Sequence, residues 1–209
     1  MTGDFESLLS GARLLPVLSV PSAVTAAPLA EALAAGGARC AEVTLRTPDA
    51  ERVLRTMAAH GGLTVGAGTV VTAEQAERAV AAGARFVVSP GFDAEVVGKC
   101  RELGVPVVPG AATATELMRA LRAGLDTVKL FPAEALGGPA ILRALAAPFP
   151  QVRFVPTGGI THERMADYLS APAVLAVGGS WMAASGLLER GDYPEIRRLT
   201  ARAVERSLG

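Results

Sequence analysis

One residue places reactive chemistry where a charge is unexpected: Lys129 lies inside the apolar run Val-Lys-Leu-Phe at residues 128–131. The chain contains eighteen arginines and two lysines, so arginine supplies most of its positive charge. A charge in such a run is costly to remove from water, and a site that needed only charge would suit arginine equally well. Lysine, however, can lose its proton and condense with a ketone to form an imine. The position therefore predicts an amine nucleophile.

Two further charged residues, Glu42 and Arg46, are predicted to face the same interior as Lys129. Alternate residues of a strand point to the same side, and in the run AEVTLRT at residues 41–47 the apolar Val43 and Leu45 must pack outward. A self-neutralising ion pair between Glu42 and Lys129 is the simpler alternative, but such pairs add little net stability and arginine makes the better one. Three converging charges therefore favour a catalytic site in which Glu42 moves protons.

These residues meet only if the fold brings distant strands together, and the chain contains a repeat that does so. Eight β-rich runs alternate with alanine-rich segments of helical spacing, and successive runs start 20 to 26 residues apart. This pattern predicts a (β/α)8 TIM barrel, an α/β fold, with an extra N-terminal helix before Leu15. An open doubly wound sheet is disfavoured because the first strand is followed by Ser-Val-Pro-Ser-Ala-Val rather than a glycine-rich turn. The runs start at Leu15, Ala41, Thr64, Ala84, Pro106, Thr127, Arg153 and Ala173.

Glycines at the ends of the last two strands predict a phosphate site. Strand seven ends in Gly158–Gly159 and strand eight in Gly178, Gly179 and Ser180, where backbone N–H groups can approach an anion closely. Many barrels of this type bind phosphate at the ends of these two strands. Either glycine pair alone would also be explained by a tight turn, but two on adjacent strands favour the binding site.

Composition excludes several other classes of function. Twenty basic and twenty acidic residues give no field that would attract nucleic acid or an anionic membrane. Cys40 and Cys100 match no metal or disulfide spacing, which suggests a cytoplasmic protein. The apolar stretch after Arg13 resembles a signal peptide but is interrupted by Pro16 and Pro21, so a first strand and helix are expected there. We expect one domain over residues 1–209, because no linker-like segment divides it.

A metal site is not expected. His60 falls at a helix end and His162 in a loop, and neither lies at the inward tip of a strand where carboxylate ligands could join it. Thr69, in the run Gly-Ala-Gly-Thr that ends strand three, could bind a carboxylate or equally cap a turn. The run Ser-Pro-Gly at residues 89–91 could likewise serve only to fix turn geometry.

The motifs, in their order and spacing, resemble the 2-keto-3-deoxy-6-phosphogluconate aldolase / 4-hydroxy-2-oxoglutarate aldolase family nearly end to end. They are AEVTLRT, VGAGTV, SPG, PGAATATEL, VKLFPAE, FVPTGGI and VGGSW. The resemblance implies a class I aldolase of the Entner–Doudoroff pathway that cleaves a phosphorylated 2-keto-3-deoxy sugar acid to pyruvate and glyceraldehyde 3-phosphate, and also 4-hydroxy-2-oxoglutarate to pyruvate and glyoxylate. It implies a homotrimer and no cofactor beyond the covalent imine.

The same resemblance assigns roles to individual residues. Lys129 would form the imine with pyruvate, and Glu42 would be the acid–base residue, acting through a water molecule. The remaining residues would bind substrate: Arg46 and Thr69 its carboxylate, Pro90 and Phe131 the walls of its pocket, and Gly158, Gly159, Gly179 and Ser180 its phosphate. Threonine at position 157 favours the gluconate over the galactonate epimer.

Three alternatives remain at this point. The chain could be the aldolase for the galactonate epimer, or a phosphate-binding barrel that decarboxylates or isomerises its substrate without a covalent intermediate. It could also be a sensor that binds a phosphorylated metabolite and has no turnover. An imine trapped on Lys129 would separate the aldolases from the last two.

Overall fold

A computed structural model describes residues 5–9 and 11–208 of the chain, so residues 1–4, 10 and 209, including the two ends of the expected domain, lie outside it. The eight strands are β1 Leu14–Leu18, β2 Cys40–Thr44, β3 Thr64–Gly68, β4 Val87–Val88, β5 Val107–Val108, β6 Thr127–Leu130, β7 Arg153–Pro156 and β8 Val177–Gly179. The α-helices are α1 Phe5–Leu9, α2 Ala26–Ala35, α3 Ala50–Ala59, α4 Ala73–Ala81, α5 Ala94–Glu102, α6 Ala114–Arg122, α7 Pro139–Ala146, α8 Met165–Leu169, α9 Ser185–Arg190 and α10 Tyr193–Leu208.

All strand pairs are parallel, and together they confirm the predicted barrel. A continuous ladder runs from β8 through β1 and β2 to β5, while β6 pairs with β7. Single bridges join the two pieces: Gly110 pairs with Lys129 after β5, and Thr157 pairs with Gly178 at the ends of β7 and β8. The strands therefore close into a ring with a common interior.

Side chains pack in separate layers outside and inside this ring. Outward residues such as Val43 on β2 and Leu130 on β6 belong to apolar clusters shared with the helices. Inside, Leu15, Phe86 and Val155 form a third cluster with residues of α1. The predicted extra N-terminal helix is α1, and because Phe5 packs edge-on against Phe86 with ring centroids 5.2 Å apart, it closes the amino-terminal end of the barrel.

Local sequence signals set the starts of two outer helices. The Thr72 hydroxyl caps α4 by accepting from the backbone N–H of Gln75 at 3.2 Å, and Thr113 caps α6 from Glu116 in the same way at 3.3 Å. Among the described residues, none of the helices combines the length and apolar character that a membrane span requires.

Candidate active site

Lys129 and Glu42 form a buried pair inside the barrel. The Lys129 Nζ donates to Glu42 Oε1 at 2.9 Å and lies 3.3 Å from Oε2. Lys129 is 5% exposed and Glu42 is fully buried, so the pair is removed from bulk water. The ring of Phe131 lies 5.5 Å from Nζ and gives the cation an aromatic face. Strand alternation thus brings together the two residues it was expected to bring together.

Glu42 can occupy this position because β3 carries glycine beside it. A Cβ on Gly68 would lie 2.0 Å from Glu42 Oε1, and a Cβ on Gly66 would lie 2.3 Å from the Phe86 ring. The two inward glycines therefore make room for one acidic and one aromatic side chain from neighbouring strands. The Gly-Ala-Gly alternation at residues 66–68 of β3 therefore serves the packing of the site.

Replacing Gly68 with alanine is expected to lower the free energy of unfolding by about 1–3 kcal/mol, because the new methyl group overlaps a carboxylate that Lys129 holds in place. Chemical denaturation followed by circular dichroism measures this change. Gly98 in α5 is the matched control, since a Cβ there meets no atom within 4 Å. Gly98→Ala should stabilise the protein by about 0.5–1 kcal/mol through helix propensity. Equal effects at the two positions would contradict the overlap with Glu42.

Arg46 stands above this pair at the carboxyl end of β2, where it is exposed. The Thr44 hydroxyl donates to the Leu18 carbonyl at 2.8 Å and accepts from Arg46 Nε at 3.2 Å. This chain of hydrogen bonds fixes the base of the guanidinium group and leaves its outer N–H groups at the mouth of the barrel. Arg46 thus lies beyond the end of β2, at the mouth of the barrel, and not beside Lys129 in the buried interior where three converging charges were predicted.

A cavity of about 320 Å³ opens at this mouth and joins Arg46 to the ends of β7 and β8. Six of the predicted site residues line it together with Arg46: Phe131, Thr157, Gly158, Gly159, Gly179 and Ser180. Lys129 and Glu42 are not part of its wall, and Phe131, which contacts the lysine amine, lies at the boundary. The site thus has a buried reactive pair and a more open chamber above it.

A larger groove of about 620 Å³ lies elsewhere, between the surface helices α2 and α10. Pro28, Ala32 and Tyr193 are among its lining residues, and it lies outside the barrel. No inward strand residue reaches it, so size alone does not identify the reactive site.

Two backbone N–H groups at the chamber have no hydrogen-bond acceptor among the described residues. Gly158 and Gly159 have positive φ values of 104° and 78°, a conformation that few other residues adopt. Within the described part of the chain, their N–H groups donate to no protein acceptor. Unpaired backbone donors beside a cavity suit an anion.

Thr69 and Pro90 follow β3 and β4 at the same end of the barrel but do not line the chamber. Thr69 has φ +58°, a left-handed conformation that costs a β-branched residue about 1–3 kcal/mol. The Pro90 carbonyl packs against Gly110, where a Cβ would approach it to 2.0 Å. Ser89 joins the two loops by donating its hydroxyl to the Val70 carbonyl at 2.7 Å. Thr69 therefore carries backbone strain in the loop that follows β3.

Sequence reasoning missed other residues of the chamber wall. Trp181 packs over Gly179 and lines the chamber, and among the described residues its buried indole Nε1 has no hydrogen-bond partner. Ile160 and Thr161 extend the wall after the glycine pair of β7. The position of Trp181 directly after the predicted phosphate-binding run Gly-Gly-Ser was the sequence feature that could have indicated its place in the chamber wall.

Among residues 5–9 and 11–208, no cluster of three histidine, cysteine, aspartate or glutamate residues could hold a metal ion. His162 instead stacks edge-on with Trp181, with ring centroids 6.5 Å apart. Burial, followed by the charges of Arg206 and Arg202, lowers the pKa of its imidazole.

Comparison with known proteins adds to this geometry. Residues 5–199 match the family model described as KDPG and KHG aldolase. A 2-dehydro-3-deoxy-phosphogluconate aldolase of Treponema pallidum is 48% identical over 202 residues, which cover 96% of each chain.

Two solved structures are also similar over nearly the whole chain. The Zymomonas mobilis 2-keto-3-deoxy-6-phosphogluconate aldolase, determined with 3-phosphoglycerate, is 41% identical with a TM-score of 0.93 and coverage of 98% of this chain and 96% of that one. The Legionella pneumophila KDPG aldolase, with pyruvate captured as a covalent carbinolamine intermediate, is 38% identical with a TM-score of 0.93 and coverage of 98% and 100%.

Proposed function

The chain belongs to the KDPG and KHG aldolase family, and from that premise we propose that it cleaves 2-keto-3-deoxy-6-phosphogluconate to pyruvate and glyceraldehyde 3-phosphate through an imine on Lys129. It is a class I aldolase, a lyase. The observation that carries the assignment of Lys129 is its amine, buried inside the barrel with Glu42 as a direct proton acceptor at 2.9 Å. The second substrate implied by the family description is 4-hydroxy-2-oxoglutarate, which yields pyruvate and glyoxylate.

Imine formation begins with transfer of a proton from Lys129 to Glu42, which the 2.9 Å contact allows directly. The neutral amine attacks the C2 ketone of the substrate, and a proton passes from the attacking nitrogen to the former carbonyl oxygen to give a carbinolamine. Glu42 then supplies a proton to the departing hydroxyl, and water leaves as the protonated imine forms. Both proton transfers are within the reach of one carboxyl group.

Cleavage uses the imine as an electron sink. A base, proposed to be Glu42 acting through a water molecule, removes the proton of the C4 hydroxyl, and the C3–C4 bond breaks. The bonding electrons move to C3 and the imine nitrogen, so that glyceraldehyde 3-phosphate leaves and an enamine of pyruvate remains. Protonation at C3 and addition of water then release pyruvate and regenerate the Lys129 amine.

The carboxylate of the substrate is proposed to bind between Arg46 and Thr69. The planar guanidinium of Arg46 can grip a carboxylate with two hydrogen bonds, and its base is already fixed by Thr44. The strained backbone of Thr69 supports a binding role, since such conformations persist at functional sites. Pro90 and Phe131 would shape the pocket around the pyruvyl group.

The phosphate is proposed to lie in the chamber at the ends of β7 and β8. The unpaired N–H groups of Gly158 and Gly159 support this assignment, and Gly179 and Ser180 would complete the donors from the neighbouring strand. Thr157 lines the same chamber and is proposed to favour the gluconate epimer. Comparing pyruvate release from the gluconate and galactonate substrates tests that preference, and equal rates would contradict it.

Borohydride reduction in the presence of pyruvate tests the proposed function directly. We expect one reduced pyruvyl adduct per chain, located on Lys129 by peptide mass mapping, because this amine lies inside the barrel beside Glu42, which can take its proton. Lys99, the chain's other lysine, is an internal control: it pairs with Glu102 on the surface at 2.7 Å. An adduct on Lys99 alone, or none at all, would favour a non-covalent barrel enzyme or a metabolite sensor.

A further inference from the structure

A polar network lies directly behind the glycine pair of β7; in it Tyr168 is buried, Glu134 is half-buried and Arg164 is exposed. The Tyr168 hydroxyl on α8 donates to Glu134 Oε1 at 2.6 Å, and Arg164 pairs with Glu134 Oε2 at 3.0 Å. Tyr168 is fully buried, so its hydroxyl depends on this acceptor. Both oxygens of the Glu134 carboxylate are therefore bound by residues of the segment that follows β7.

Glu134 also contacts the glycine pair itself. Its backbone N–H donates to the Gly158 carbonyl at 3.1 Å, just after the Ala133 N–H donates to the Thr157 carbonyl at 2.8 Å. A Cβ on Gly159 would lie 2.9 Å from the Glu134 Cβ, so the loop after β7 rests against this side chain. One residue thus connects the loop after β6 to the loop whose amides are unpaired.

We propose that Glu134 and Tyr168 are positioning residues that hold the Gly158–Gly159 turn in the form that presents its amides to the phosphate of the substrate. The inference rests on the proposed function and goes beyond it, since neither residue lines the chamber. Amides that are already oriented bind an anion without the cost of ordering the loop. The network therefore sets the preference for phosphorylated over unphosphorylated substrates.

The charge state of the network suits a permanent structural role. Burial, and then the hydrogen bond to Glu134, raise the pKa of the Tyr168 hydroxyl, which keeps it protonated as a donor. A hydrogen bond to a carboxylate is short and strong, and 2.6 Å is in the range for such a bond. Removing the hydroxyl frees one carboxylate oxygen and loosens the contact between the two loops.

The test is Tyr168→Phe, with Tyr193→Phe as the matched control that removes a hydroxyl from the start of α10. We expect KM for 2-keto-3-deoxy-6-phosphogluconate to rise about 10–100-fold, the effect of losing a hydrogen bond to a charged group, with kcat little changed. KM for 4-hydroxy-2-oxoglutarate, which has no phosphate, should change less than about two-fold. A rise of the same size for both substrates, or none for the phosphorylated one, would overturn the proposal.

Two further measurements test the positioning role separately from the proposed aldolase function. Inorganic phosphate should compete with the phosphorylated substrate, and its inhibition constant should rise in Tyr168→Phe by the same factor as KM; an unchanged constant would contradict the positioning role. If Tyr168→Phe does not fold, Glu134→Ala, which removes both carboxylate oxygens but keeps the Cβ that lies against Gly159, should show the same selective rise in KM. A wild-type protein that forms no pyruvyl adduct refutes the proposed function, whereas a normal adduct with an unselective Tyr168→Phe refutes only the positioning role.

Discussion

Lys129→Arg is expected to lower kcat/KM for 2-keto-3-deoxy-6-phosphogluconate by about 10⁴-fold or more, in the range seen when an enzyme loses its nucleophile. Arginine preserves the positive charge opposite Glu42 and can hydrogen-bond both carboxylate oxygens. Its guanidinium stays protonated and forms no imine with a ketone. A coupled assay of pyruvate release, together with borohydride trapping, measures the loss.

The surface pair Lys99–Glu102 supplies the matched control for this change. Lys99→Arg makes the same substitution beside a carboxylate, but on the exposed helix α5, and should leave kcat/KM unchanged. Circular dichroism of Lys129→Arg should show a folded barrel, because the buried carboxylate keeps a cationic partner. Cleavage at more than a few per cent of the wild-type rate would contradict the imine mechanism.

The alternation of residues along each strand predicted which side chains face the barrel axis. The alternation in β2 and β6 determines which side chains face the axis, and parallel strands of similar length bring Glu42 and Lys129 to a similar height. Repeat spacing then closes the ring, even though β4 and β5 are only two residues long. These features follow from the sequence because local patterns determine them.

Strand and helix periodicity could not predict the contacts between segments that are far apart in the sequence. Nothing in the spacing shows that a Gly68 Cβ would meet Glu42, or that Trp181 turns over Gly179 into the chamber wall. The contact between Tyr168 on α8 and Glu134 in the loop after β6 joins residues thirty-four positions apart. Such contacts depend on how two loops pack, which neither helix nor strand periodicity records.

The buried charge pair is one of several unfavourable features at this end of the barrel. Removing two ions from water is costly, and apolar residues of similar size are often as stable. The glycines of β3 provide the space for Glu42, and the left-handed Thr69 adds backbone strain a few residues further on. Several unfavourable local choices thus converge on one end of the barrel, as expected where sequence is selected for chemistry rather than stability.

Glu42→Gln is the second large effect, and it separates proton transfer from nucleophilic attack. We expect kcat to fall about 10²–10⁴-fold, the usual contribution of a general acid–base residue. Glutamine keeps an oxygen that can accept from the Lys129 Nζ but cannot take its proton at neutral pH. Steady-state pyruvate release measures the change.

Trapping experiments give this variant a signature that Lys129→Arg cannot show. With pyruvate and borohydride, Glu42→Gln should still accumulate the adduct on Lys129, because the amine is present, but at a rate lowered with kcat. Glu102→Gln, in the exposed pair, is the matched control and should keep both rates. An unchanged kcat in Glu42→Gln would remove Glu42 from the proton path, and a slow but complete adduct would identify it as the residue that moves protons for the lysine.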